Sequence, residues 1–567
     1  MFFSFFFSPS LDSLQVYQMF FIFLIIPSVL TLDNGLAARP GLGWNSDYCT
    51  ACVHESASPT SAFRYTGFQN EVFIKHIADF LNASGLQALG YENVNMDSLW
   101  NLPTRDAKGD LQPDPALWPS GFDSIVSYVH NKGLRFGVYG DRGNLDCNDN
   151  PGQLGHESQD AAFFAKNGID WFKSDSCHAS PDPETAFQEY GTMRDALNKT
   201  GRPIWFALCG WESWYAWKAP GKSLGNSWRV GVDTGGGWGP IMENMAAMLR
   251  GGPNGTSLAA YGGLGGWNDM CLLLNPGMGT AQNLMTRERH RSQFGLHCIF
   301  NANMLMTGNL SALDPYVLET WGNAEAIAVN QDTSHTFLQL SLGSLDSLNP
   351  ARVAECGGEP SAQNWTFNAP ASGFLTNAAN DVCLNVADCE TAIIFDGCTT
   401  TGSTCSGKNK FNNEQWTLND RGGLLSALPG AACATVDSAD GTLSLSPCGG
   451  DPLPSSQSWR YNSATGELVS GSGLCLTVSQ TPPPSNDETV LVGRELMDGS
   501  WALLGLNNAN NSKPLICGQQ CLSTMGFPVG KTLSIRDIWA HQDLQPTAGP
   551  LYLPAPPNGG SSFWRVR

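Results

Sequence analysis

From Arg39 to Gln331 the chain alternates short apolar runs with amphipathic stretches, and no other feature limits its fold as strongly. Ala88–Met96, Leu134–Tyr139, Ile169–Lys173, Pro203–Leu208 and Ala326–Val329 read as strands. Between them, Asn70–Ser84, Gly121–Lys132, Gln159–Asn167 and Pro183–Asn198 repeat apolar residues at helical spacing. Strands that alternate with helices are joined by crossovers, so they lie parallel and are covered on both faces. Over roughly 300 residues this predicts a (β/α)8 barrel rather than an open sheet. The chemistry of such barrels sits on the loops that follow the strands.

Those strand ends are rich in carboxylates. Asn95-Met96-Asp97, Tyr139-Gly140-Asp141, Phe172-Lys173-Ser174-Asp175 and Trp267-Asn268-Asp269 each close an apolar run, and Asp233 follows Ser227–Val232. One aspartate at such a place is ordinarily a helix cap or turn residue. Five on one barrel face point to acid–base work. Two carboxyls across a pocket can divide the roles of nucleophile and general acid/base, as glycoside hydrolysis requires. There is no nucleophile elbow and no phosphate-cradling glycine loop before a helix; Gly235-Gly236-Gly237 reads as a turn. With 31 Lys+Arg against 51 Asp+Glu, the net charge of −20 leaves no basic footprint for nucleic acid.

The apolar run Met19–Leu32 is too short for a bilayer span of ~20 residues and fits a signal-peptide core. Small residues at Gly35, Ala37 and Ala38 put cleavage near Ala37 or Ala38, so residues 1–38 are expected to be a leader; a signal anchor is the alternative. No later segment is long and apolar enough to span, so no membrane association is expected after cleavage. Seventeen cysteines without zinc-type spacing agree with an exported, disulfide-bonded protein, extracellular or vacuolar/lysosomal. Six glycosylation sequons, at Asn82, Asn198, Asn254, Asn309, Asn364 and Asn510, fit the same route.

Six motifs within residues 39–333 resemble glycoside hydrolase family 27, the α-galactosidase (melibiase) group. They are Gly41-Leu-Gly-Trp44-Asn45-Ser46, Gly133-Leu-Arg-Phe-Gly-Val-Tyr139, Gly168-Ile-Asp-Trp-Phe-Lys173-Ser-Asp175-Ser-Cys177, Asn226-Ser-Trp-Arg229-Val-Gly-Val-Asp233, Gly265-Gly-Trp267-Asn268-Asp269 and Ala326-Ile-Ala-Val-Asn330-Gln331-Asp332, in the family's order. The resemblance implies a retaining mechanism with Asp175 as nucleophile and Asp233 as acid/base. It implies that Lys173 contacts sugar hydroxyls and helps to keep Asp175 ionised, and that Arg229 holds the site near Asp233. Trp44 would form a wall, with Asp97, Tyr139 and Asp269 in the sugar subsite. A Cys147–Cys177 disulfide follows from the same motifs, and neither a metal nor an organic cofactor is implied.

Three departures from the family's pattern leave the sugar open. Asp97-Ser98 replaces two adjacent aspartates, Cys209-Gly210-Trp211 replaces Cys-Glu-Trp, and Met270-Cys271-Leu272 replaces Pro-Asp-Met. Three sugar-gripping carboxylates are thereby missing, with Glu212 an available substitute. The expected substrates are galactose-containing oligosaccharides or glycoconjugates. An α-N-acetylgalactosaminidase, a β-L-arabinopyranosidase, and a lectin-like binding protein with a decayed catalytic domain are the alternatives.

Residues 350–482 change character and carry a repeat. Gln363-Asn-Trp365, Glu414-Gln-Trp416 and Gln457-Ser-Trp459 recur, and the cysteines of Cys383-Leu-Asn-Val, Cys433-Ala-Thr-Val and Cys475-Leu-Thr-Val sit at matching offsets. This resembles a ricin-B-type β-trefoil, a module that would offer a second sugar site. The repeat predicts Cys383–Cys398 and Cys433–Cys448. The third unit runs out after Cys475, and its missing half lies before the first, so a circular permutation closed by Cys356–Cys475 is expected. Residues 334–349 and 483–567 resemble the hydrolases' C-terminal antiparallel β-sandwich, with Cys517–Cys521 closing a small loop. The odd cysteine count leaves at least one thiol unpaired in the monomer, for which Cys298 is the candidate.

Overall fold

The computed structural model describes residues 34–567 apart from 49–69, 218–220, 253–256, 311–312, 335–336, 343–348, 358–359, 370–371, 378–381, 387–392, 397–411, 429–431, 438–440, 479–488 and 510–514. Eight parallel strands run in the order β7-β6-β5-β4-β3-β2-β1-β8. They are β1 Leu42–Asn45, β2 Tyr91–Asn95, β3 Arg135–Asp141, β4 Trp171–Asp175, β5 Trp205–Leu208, β6 Ser227–Arg229, β7 Trp267–Asp269 and β8 Met304–Met306. A parallel bridge from Leu273 to Met306 brings the ends of the sheet together.

The helices wrap this sheet. Helix α1 (Glu71–Ala83) is capped by the Asn70 side chain and buries Ile74, Ile77, Ala78 and Leu81, one helical stripe. Helices α2 (Phe122–Asn131), α3 (Glu157–Lys166) and α4 (Pro183–Lys199) follow β2, β3 and β4. Helix α5 (Arg287–Ile299) is polar in sequence yet buried along most of its length, because it lies between the barrel and strand Gly560–Val566 of the sandwich.

One expected strand is a helix. Ala324–Asn330 forms a short α-helix, so the reading of Ala326–Val329 as a strand is corrected. A four-residue apolar run does not distinguish the two states. Here Asn323 decides, since its side chain accepts from the Ala326 N–H at 3.0 Å and starts the helix.

Residues 34–37 belong to the barrel. The Asn34 carboxamide donates to the Ile204 carbonyl at 3.0 Å, and the Ala37 carbonyl accepts from the Trp267 indole at 2.9 Å. Cleavage at Ala37 or Ala38 would remove these contacts. Met19–Leu32 and the sequons at Asn254 and Asn510 lie outside the described residues; Asn82, Asn198 and Asn364 are exposed. Among the described residues no helix is long and apolar enough to cross a membrane.

An antiparallel six-stranded sheet follows the barrel, in the order Gln542–Thr547, Leu533–Asp537, Gly560–Val566, Trp501–Asn507, Thr489–Glu495, Phe337–Leu342. Strands Phe337–Leu342 and Thr489–Glu495 are hydrogen-bonded neighbours, although the whole β-rich segment between them intervenes in the chain. Arg536 joins this sheet to the barrel through a two-bond contact with Glu325 at 2.8 and 2.9 Å.

The intervening segment repeats one construction three times. The Trp365, Trp416 and Trp459 indoles donate to the carbonyls of Leu476, Leu384 and Ala434, each the residue after a repeat cysteine, at 2.8, 2.8 and 2.9 Å. The first tryptophan therefore closes the last unit. Strand Arg352–Glu355 pairs with Leu474–Thr477, and the Cys356–Cys475 disulfide fastens them. Cys433–Cys448, Cys517–Cys521 and Cys147–Cys177 are also formed. Cys383 is disulfide-bonded, while Cys398 lies outside the described residues. Cys298 is a buried free thiol, as are Cys209 and Cys271.

Because Cys356–Cys475 closes a loop of 119 residues, its loss releases much unfolded-chain entropy. Cys356→Ser should destabilise the trefoil by about 2–5 kcal/mol, read as a lower denaturation midpoint for this unit. An unchanged midpoint would contradict the permuted closure.

Candidate active site

Strand alternation sorts the barrel interior into layers. Trp171, Trp205 and Trp267 fill the N-terminal end, Trp171 and Trp205 stacking at 4.4 Å between ring centroids. One pleat higher on the same face stand Lys173, Tyr139, Arg229 and Asp269, with Tyr139 in register with Lys173 and Arg229 with Asp269. Gly137 is required beneath them, because a Cβ there would come within 2.1 Å of the Asn95 side chain. A cavity opens above the tryptophans, lined on its polar side by Asp47, Lys173, Arg229, Asp269, Cys209 and Cys271.

Asp175 stands beside this cavity at the end of β4, 4% exposed. It accepts from the Tyr139 hydroxyl at 3.1 Å and the Ser176 N–H at 2.9 Å, and lies 3.8 Å from the Lys173 ammonium. Lys173 is more tightly paired with Asp97, at 2.9 Å, and sits over the Tyr139 ring at 4.9 Å. Burial raises the Asp175 carboxyl to about 6; Lys173 opposes the shift, and the charges of Asp233 and Asp97 add to it. The expected help from Lys173 is present, but burial and the like charges outweigh it.

Asp233 occupies the rim, with its side chain 52% exposed. Arg229 reaches up to it from β6 at 2.9 Å and also donates to the Val232 carbonyl at 2.7 Å. Burial favours the neutral acid, yet Arg229, Lys173 and the Tyr48 hydroxyl together hold the Asp233 carboxyl below its ordinary range. Asp269 accepts from the Cys271 N–H at 2.8 Å, which fixes the turn after β7.

Trp44 is not a wall of this site. It points from β1 into the helical layer, fully buried, edge-on to Phe73 at 5.7 Å and donating to the Gly308 carbonyl at 2.9 Å. Alternation along β1 turns Asn45 inward instead. Glu212 is buried near Tyr215 and is not among the residues that line the cavity. Tyr139 supports Asp175 from β3, with its ring beneath the Lys173 ammonium.

The residues missed from sequence lie just beyond β1. Asp47 lines the cavity, and burial, then the charge of Asp97, push its carboxyl up to about 8. Tyr48 adopts a left-handed φ of 58° and packs on Gly235, where a Cβ would come within 2.8 Å of its ring. Leu99, Trp211 and Cys271 adopt the same conformation after β2, β5 and β7, a concentration of backbone strain on one barrel face. Only Gly235's place in the glycine run hinted that a bulky group would lie against it.

Among the described residues, Asp141, Cys147, Asp175 and Cys177 bring metal-type donors together, but both sulfurs are consumed by the disulfide. Asp141 instead accepts from the Gly143 and Cys177 N–H groups at 2.7 and 2.6 Å, organising the loop beside Asp175.

A family model described as alpha galactosidase A matches residues 42–332, and one described as a ricin-type beta-trefoil lectin domain matches residues 371–496. Alpha-galactosidase 3 of Arabidopsis thaliana is 39% identical over 306 residues, covering 53% of this chain and 62% of the relative. The alpha-galactosidase of Cyamopsis tetragonoloba is 38% identical over 303 residues, covering 53% and 66%. The chain thus spans less than two thirds of these relatives' length. Alpha-galactosidase I from Mortierella vinacea superposes with a TM-score of 0.58 at 19% identity, over 94% of this chain and 98% of that one, which shows a shared fold. Since the first model covers more than half of its residues, this chain belongs to the alpha galactosidase A family.

Proposed function

We propose that the protein is a retaining glycoside hydrolase that removes terminal α-linked galactose. The observation that carries this reading is the pair of carboxyls at one cavity mouth, Asp175 within 3.8 Å of Lys173 and Asp233 within 2.9 Å of Arg229. Asp175 attacks the anomeric carbon while Asp233 gives its proton to the leaving oxygen. Asp233 then takes a proton from water, which attacks the same carbon and frees Asp175. The relatives named above are α-galactosidases, which favours galactose over N-acetylgalactosamine or arabinose. The trefoil supplies a second sugar site; its match to a lectin-domain model supports this part of the reading. Disulfides and exposed sequons support a secretory route to the extracellular space or the vacuole/lysosome. We place the leader boundary before Asn34, the barrel up to residue 333, the trefoil at 350–482, and the sandwich at 334–349 and 483–567.

Asp175→Asn should lower kcat on nitrophenyl α-galactoside by about ten-thousand-fold or more, because the nucleophile is removed. Asp233→Ala should spare this substrate, whose leaving group needs little protonation, while costing about 100- to 10,000-fold on an alkyl galactoside. Steady-state assays on both substrates test the pair, and equal losses on the two would contradict the assignment of Asp233.

The pH profile follows from the signs of the shifts. Asp175 must be ionised and Asp233 protonated, yet Asp175 binds its proton more tightly, so the active form is a minor species and activity falls as pH rises through about 6. The Asp233 carboxyl lies below its ordinary range, and below it both carboxyls are protonated, so activity also falls as pH drops further. The two limbs belong to the pair, and kcat/KM should peak between about pH 4 and 6. A maximum above pH 8 would overturn the assignment.

A further inference from the structure

We propose that Asp47, on the loop after β1, is a substrate-contacting residue whose carboxyl hydrogen-bonds a hydroxyl of the glycon and helps to select it. This rests on the glycosidase reading of the same cavity. Asp47 lines that cavity together with Lys173, Arg229 and Asp269. Its own main chain is held without help from the side chain: its N–H donates to the Asn45 carboxamide at 2.8 Å, and the Thr307 hydroxyl donates to its carbonyl. Asn45 and Thr307 thus anchor the main chain of Asp47 itself. One of its oxygens, Oδ1, accepts from the Tyr48 N–H at 2.9 Å, and among the described residues Oδ2 has no hydrogen-bond partner.

Asp47 is half-buried, and its carboxyl faces the cavity, where a sugar hydroxyl can take the place of water. The surroundings decide its form. Asp97 faces it from the end of β2, Lys173 from β4 and Asp233 from the loop after β6, with Arg229 and Asp269 lining the same cavity. Two of these three neighbours are acidic, and the carboxyl is pushed up to about 8. Below that pH it is a neutral acid, able both to donate to and accept from a sugar hydroxyl. Loss of a buried hydrogen bond to a glycon hydroxyl discriminates strongly between sugars.

The test compares wild type, Asp47→Ala and Asp47→Asn on nitrophenyl α-galactoside, α-N-acetylgalactosaminide and β-L-arabinopyranoside, with thermal unfolding to confirm that each variant folds. For the glycon that wild type prefers, Asp47→Ala should raise KM about 10- to 100-fold at pH 5 with a smaller effect on kcat. Asp47→Asn, which can also donate and accept, should recover most of that loss. Wild-type KM should climb above about pH 8 as Asp47 ionises and loses its donor, and the Asn variant should lack this limb. An active wild type whose KM and its pH dependence are untouched by Asp47→Ala overturns this inference alone. A wild type silent on all three glycons overturns the glycosidase reading and this one with it.

Discussion

A closed sheet of parallel strands turns every second side chain into a space barely wide enough to hold them. The rest of this enzyme-like centre depends on that restriction. Trp171, Trp205 and Trp267 consume the lower part of the space, so the polar residues one pleat higher cannot sink and must face the open end. Tyr139, Lys173, Arg229 and Asp269 are thus presented together by four different strands without any one loop having to place them.

Charges gathered in so small a space need partners, because each costs several kcal/mol to remove from water. Lys173 bridges Asp97 and Asp175, and Arg229 ties the rim aspartate to the body of β6. The two pairs differ in depth. Asp175 is buried among like charges and its proton affinity rises; Asp233 is half in solvent beside a guanidinium and its proton affinity falls. On the proposed mechanism, these shifts run opposite to the protonation that the first step requires. A sugar that displaces water from around Asp233 moves it toward the acid form, since desolvation disfavours the carboxylate.

The trefoil shows how an insertion avoids disturbing its host. Strands Phe337–Leu342 and Thr489–Glu495 are direct neighbours, so whatever lies between them must begin and end at nearly one point. Here Arg352–Glu355 and Leu474–Thr477 pair, Trp365 bonds to the carbonyl of Leu476, and Cys356–Cys475 locks the seam. This pairing holds the two ends of the insertion together, and the sandwich continues past them.

Much of this was legible in the order of residues. Apolar periodicity located β2 to β5 and α1 to α4, and carboxylates at strand ends singled out Asp97, Asp175, Asp233 and Asp269. The matching offsets of Cys433, Cys475 and the three tryptophans implied the permuted trefoil and its disulfide before any contact was known. These features are local or periodic, and such patterns survive in one dimension. Tertiary structure decided the rest. Ala326–Val329 became helical because the Asn323 cap outweighed an ambiguous apolar run. Trp44 turned outward and Asp47 inward because alternation, register and the loop after β1 assign faces that a motif does not reveal. Proton affinities were set by which charges the closed barrel brought within a few ångströms, and no spacing along the chain encodes that distance.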